Sequence, residues 1–138
     1  MKLKNYNDAF FKYLNSGSSK SAELIIPLIV DQLSIQSVLD VGCGTGLFAF
    51  NAAKKGAIVL GVDFSTEAIQ IAQSQYTHKN LEFESTDVNK IKEKFDVIVS
   101  NGTLEHMDNP LKTLRLFKKH LTKNGCIIIT SPNWSNPR

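Results

Sequence analysis

Residues 38 to 46, VLDVGCGTG, run an apolar segment straight into three glycines within five positions, and LFAF follows at once with the start of a helical pattern. A strand that turns sharply into a helix suits that order, because glycine takes the positive φ of a tight turn without a Cβ penalty. The alternation of apolar run and helical pattern then recurs along the chain. Val38 to Val41 predicts the first strand, Leu47 to Lys55 a helix, Ile58 to Val62 the second strand, and Thr66 to Tyr76 a helix with Ser65 as its N-cap. Leu81 to Ser85 predicts a third strand and Phe95 to Ser100 a fourth. Asn109 and Pro110 open a last helix with Leu111, Leu114, Phe117 and Leu121 on its apolar face and Asn124-Gly125 as its stop, after which CIIIT forms the fifth strand. Nearly continuous apolar strands separated by helices predict an α/β, three-layer, doubly wound, mostly parallel sheet whose ligand site lies beyond the C-terminal strand ends.

The chain has 138 residues, 42% of them hydrophobic and 21% charged, which supports one core and is too short for two. A single domain over 1–138 is therefore expected, with a helical N-terminal segment (1–36) ahead of the sheet core (37–138). That segment carries the aromatics Tyr6, Phe10, Phe11 and Tyr13, a SGSSKS turn, and SAELIIPLIVDQL, in which Pro27 starts or kinks a helix. A formal charge of +3 is spread along the chain; its densest cluster, Lys118, Lys119, His120 and Lys123, falls where a helix ends. Cations there complement the helix dipole, which argues against a nucleic-acid partner. Cys43 and Cys126 stand far apart without the spacing of a metal site, which fits a reducing, cytoplasmic setting and no metal. No apolar stretch approaches the roughly 20 residues needed to cross a bilayer, and MKLKNYNDAF lacks the apolar region of a signal peptide, so neither membrane insertion nor export is expected.

The G-x-G-x-G spacing of Gly42, Gly44 and Gly46 is one residue shorter than the dinucleotide fingerprint, and no Gly-Lys-Ser/Thr follows. Asp40 sharpens this weak signal. A pyrophosphate over the turn would bring like charges to about 5 Å, a repulsion of roughly 3 kcal/mol at an effective dielectric near 20, or about a hundredfold in affinity. A cationic ligand reverses the sign, and the α-amino and sulfonium groups of S-adenosylmethionine (SAM) are such cations. Asp63, at the end of the second strand, suits two ribose hydroxyls, with charge-assisted hydrogen bonds contributing about 1.5–3 kcal/mol each. Asp87 follows the third strand, where it suits the adenine amine while the amide of Val88 donates to a ring nitrogen, and Phe64 suits the adenine face.

VLDVGCGTG, GVDFS, TDV, FDVIVSNGTLEHMDNP and LTKNGCIIITSPN resemble successive motifs of the class I SAM-dependent methyltransferases, in particular the small-molecule and quinone-type O- and C-methyltransferases, over residues 37 to 133. The resemblance implies a Rossmann-like sheet of strand order 3-2-1-4-5, SAM as methyl donor, S-adenosylhomocysteine (SAH) as product and a small-molecule acceptor. It places Asp40, Gly42, Gly44 and Gly46 at the methionine end, Asp63 and Phe64 at ribose and adenine, Asp87 and Val88 at adenine, and Asn101 on the lip after the fourth strand. The N-terminal aromatic helix resembles a lid over the methyl donor. His106, in LEHM on the rim, is the candidate base for an acceptor proton.

Structural alternatives stand beside these assignments: a loop carboxylate for Asp87, an Asx turn for Asn101, a partly structural role for His106, and solvated surface positions for His78 and His120. Cys43 has no basic neighbour in sequence to activate it. The family's sheet normally has seven strands, so this chain is expected to lack strands 6 and 7, to bind SAM with weak turnover, and to self-associate through a bare strand-five edge. The rival functions are a non-catalytic SAM-binding fragment or subunit and, disfavoured by Asp40, a nicotinamide oxidoreductase.

Overall fold

A computed structural model describes residues 36–130. The N-terminal segment expected to be helical, up to residue 35, and the final SPNWSNPR lie outside the described residues. Five parallel strands, β1 (Ser37–Val41), β2 (Ile58–Asp63), β3 (Leu81–Ser85), β4 (Phe95–Asn101) and β5 (Leu121–Thr130), form one sheet in the order β3-β2-β1-β4-β5. Helices α1 (Leu47–Lys54), α2 (Thr66–Gln75) and α3 (Pro110–Lys119) connect them, with short 3-10 turns at Val88–Lys90 and Leu104–His106. The expected topology is the observed one, with the winding reversing at β1.

Strand alternation sorts the core into two layers. Val38, Val59, Val97 and Val99 meet Phe48, Ala49, Ala52 and Ala53 of α1 on one face. Leu39, Val41, Val62 and Ile98 meet Val88, Ile91 and Phe117 on the other. Ser65 caps α2 by accepting from the Ala68 amide, and Asn109 caps α3 by accepting from that of Lys112, as their sequence positions predict.

The boundary between α3 and β5 departs from expectation. α3 ends at Lys119, Leu121 belongs to β5, and Asn124-Gly125 lies inside the strand segment. Phe95 pairs with Leu121 while Val97 pairs with Cys126, so residues 122–125 form a bulge and Asn124-Gly125 shapes that irregularity instead of stopping the helix. Leu111 is 58% exposed, off the buried face that Phe117 occupies. His120, expected in solvent, is buried: its Nδ1 lies 3.1 Å from the Glu93 carbonyl, and its own carbonyl accepts from the Phe95 amide at 2.7 Å.

Asp96 fastens the opposite end of the sheet. Its Oδ2 accepts from the amides of Gln36 and Ser37 and from the Ser37 hydroxyl, and Oδ1 accepts from the Thr122 hydroxyl. Burial pushes its pKa up, but the hydrogen bonds from Thr122, Gln36 and Ser37 outweigh this and hold it below the usual value. Asp96→Ala should therefore cost about 1–2 kcal/mol, since a partly solvated carboxylate gains little from each bond. A depressed folded pKa means the contribution is present above the unfolded value and lost as pH falls through the folded one. Urea denaturation at pH 7 and at pH 3 checks this: the gap between wild type and variant should close at the lower pH.

Candidate functional site

The glycine turn connects β1 to α1 with its amides already engaged. Gly42 and Cys43 donate to the Val62 carbonyl at 2.8 and 3.0 Å, Gly46 donates to Cys43 at 3.1 Å, and Gly44 donates to Asp63 Oδ2 at 3.0 Å. Four amides that would cradle a phosphate thus face protein acceptors, one of them a carboxylate. At Gly42, with φ of +74°, a Cβ would stand 2.2 Å from Thr103 Oγ1, so the absence of a side chain lets the loop after β4 close onto the turn.

Asp63 is 8% exposed and fixes two loops, its Oδ2 bound to Gly44 and its Oδ1 accepting from the Ser65 amide at 2.9 Å. Burial raises its pKa, opposed by backbone donors from Ser65, Gly44 and Phe64. Each oxygen keeps a second lone pair. Asp40, on the adjacent strand and 2% exposed, has its pKa pushed up to about 7, first by burial and then by Asp63. Burial, followed by the charges of Asp40 and Asp63, pushes the Cys43 thiol well above its usual value, which leaves it protonated and unfit as a nucleophile.

A cavity of about 510 Å³ opens at the tips of β1 and β2 and continues between the 3-10 turn after β3 and the flank of α3. Its walls bring together Gly42, Asp63, Phe64, Asp87 and Val88 from the sequence-derived set. Asp87 caps the 3-10 turn, its Oδ1 accepting from the amide and side-chain nitrogen of Asn89 at 2.8 and 2.9 Å. Val88, first in that turn, carries one of the amides that have no partner inside a helix. Phe64 is 43% exposed on the rim.

The other five candidates stand off the cavity wall. Asp40 lies under the turn, on the α1 side of β1, and Gly44 is spent on Asp63. Gly46 is occupied by packing, a Cβ there falling 2.4 Å from the Phe83 ring. Asn101 accepts from the Thr130 hydroxyl and so ties the ends of β4 and β5 together. His106 is exposed in the turn Leu104–His106. Sequence reasoning missed Thr103, Phe83 and the wall contributed by α3, because each meets the site through a contact distant in sequence.

A doubly wound sheet with a cavity that holds Asp63 and Asp87 beside its winding reversal defines a nucleoside-binding class of α/β domain. Residues 34–137 match the methyltransferase domain family, and the chain belongs to it. It is 31% identical over 135 residues to the ubiquinone biosynthesis O-methyltransferase of Haemophilus ducreyi, a match covering 86% of this chain and 57% of that protein. It is 28% identical over 137 residues to the malonyl-[acyl-carrier protein] O-methyltransferase of Bacillus cereus, covering 93% and 51%. The chain thus spans less than two thirds of the curated relatives it matches. Among solved structures, the plantazolicin methyltransferase BpumL in complex with SAH superposes with a TM-score of 0.68 at 28% identity, over 79% of this chain and 44% of that one. A SAM-dependent methyltransferase of Methanococcus maripaludis shares the fold at a TM-score of 0.80 and 20% identity, over 95% and 66%.

Proposed function

We propose that this chain binds SAM and transfers its methyl group to a small-molecule acceptor. The observation that carries this reading is the pairing of a glycine turn whose amides are spent on protein acceptors with two buried carboxylates, Asp40 and Asp63, beside it. That field repels a pyrophosphate and attracts a cationic nucleoside. Ribose hydroxyls would take the second lone pairs of Asp63; Asp87 Oδ2 would accept from the adenine amine and the Val88 amide would donate to a ring nitrogen, with Phe64 against the base. When bound, SAM supplies a methyl group on a cationic sulfur that leaves without acid assistance, so the protein's task is mainly alignment. His106, exposed in the turn after β4, is the group we assign to take a proton from a hydroxyl acceptor. Free thiols at Cys43 and Cys126 suit the reducing cytoplasm in which we place the chain.

Calorimetry with SAM and SAH tests the reading. Asp87→Ala should weaken both ligands about tenfold, the loss of one charge-assisted hydrogen bond. It should leave thermal stability nearly unchanged, because the carboxylate caps only a single 3-10 turn. Asp63→Ala is a poorer probe, since it also frees the Gly44 amide. A folded protein that is protected against heat by NAD and not by SAM would return the nicotinamide reading.

A further inference from the structure

We propose that the α3 wall of the cavity receives an anionic group, a phosphate or a carboxylate, carried by the methyl acceptor; this deepens the proposed function and rests on it. Lys112, Arg115 and Lys119 all line the cavity. Positions three and four apart share one side of a helix, so the three cations form a stripe about 10 Å long at 1.5 Å per residue. The helix sequence PLKTLRLFKK contains no acid, and among the described residues no carboxylate forms an ion pair with these three side chains.

Lys118 and Lys119 have an ordinary explanation in the dipole at the helix end, which falls off within one turn. Lys112 and Arg115 lie farther in and do not share it. Within the stripe Arg115 instead has like charges at i−3 and at i+4, an arrangement that destabilises a helix slightly. A bound anion removes that repulsion. Asp63 and Asp87 reach the cavity from the end of β2 and from the turn after β3, while Asp108 precedes α3, four residues before Lys112. Val41, Val62, Val88 and Leu116 add an apolar lining. Such a cavity suits the cationic nucleoside at Asp63 and Asp87 and, against α3, a second molecule with an apolar body and a negative group.

The test uses the variant Lys112→Gln/Arg115→Gln/Lys119→Gln, in which glutamine keeps helix propensity while removing charge. Pyrophosphate and malonate are the anion probes, titrated at low ionic strength where screening is weak, and SAH is titrated separately. Wild type should bind at least one anion ten or more times tighter than the variant, with SAH affinity equal within twofold in both proteins. Preference for pyrophosphate assigns a phosphate, and preference for malonate a carboxylate. The proposal is overturned if neither anion binds wild type, or if the variant binds them equally well. It is also overturned if the variant loses SAH, because the cations would then hold the methyl donor's own carboxylate. If SAH binds neither protein while the anion contrast persists, the methyl-transfer reading fails and no acceptor remains to assign, a result distinct from loss of the contrast.

Discussion

Asp40→Asn should stabilise the ligand-free protein at pH 8 by about 3 kcal/mol relative to its effect at pH 4. Burial and then Asp63 disfavour the charge of the wild-type carboxyl and push its pKa from the ordinary 3.8 up to about 7 in the fold. With the folded pKa raised, the native state holds a proton that the unfolded chain gives up between these two values. The stability linked to neutral Asp40 is therefore complete below about 4 and declines as pH rises, until the folded group has ionised. Three units at about 1.36 kcal/mol each set the upper scale at about 4 kcal/mol. Asparagine has the shape of the neutral form at every pH. Urea midpoints for both proteins at pH 4, 6 and 8 measure the effect, and curves separated by the same amount at all three would rule it out. The opposite sign follows for SAM: a bound cation favours the ionised pair, so SAM affinity should rise with pH through neutrality in wild type and stay flat in the variant.

Sequence periodicity reveals what is local. The five strands and three helices, the caps at Ser65 and Asn109 and the winding order are legible because each rests on a pattern within about ten residues. The end of α3 escapes sequence for the same reason: Asn124-Gly125 carries the local signature of a helix stop, whereas the pairing of Phe95 with Leu121 and the hydrogen bond from Thr122 to Asp96 begin the strand earlier. The site divides along that line too. Asp63, Asp87 and Val88 sit at strand ends that the alternation already marks, and they share the cavity. Asn101 and Gly46 occupy comparable positions in sequence, but Thr130 holds the first and Phe83 crowds the second. No spacing rule announces those partners. Of the α3 cations, spacing singles out only Lys118 and Lys119, as dipole complements, because the cavity shared by Lys112, Arg115 and Lys119 forms only once the 3-10 turn after β3 and the helix are packed over the same sheet face.

Gly46→Ala should destabilise the protein by about 3 kcal/mol or more, against about 1 kcal/mol for Gly44→Ala. Both glycines have positive φ, +94° at Gly46 and +57° at Gly44, so both substitutions carry the left-handed backbone penalty of roughly 1–2 kcal/mol. Their surroundings separate them. A Cβ at Gly44 meets nothing within 4 Å, whereas one at Gly46 falls 2.4 Å from Phe83 Cζ and 3.1 Å from the Ala72 Cβ. The ring has little room to withdraw, because it also lies against Gly61, where a Cβ would be 2.8 Å from its Cδ1. Overpacking of this kind costs about 1–3 kcal/mol on top of the backbone term. Phe83→Leu should restore the packing part and leave the backbone part, so the double variant should be at least 1 kcal/mol more stable than the two single effects predict when added. Thermal or urea denaturation of the four proteins closes the cycle. Simple additivity would mean that Gly46 is needed for its backbone alone, or for a ligand. A clear coupling would make it the residue that seats β3 against the first turn, which leaves Gly42 as the only one of the three glycines on the cavity wall.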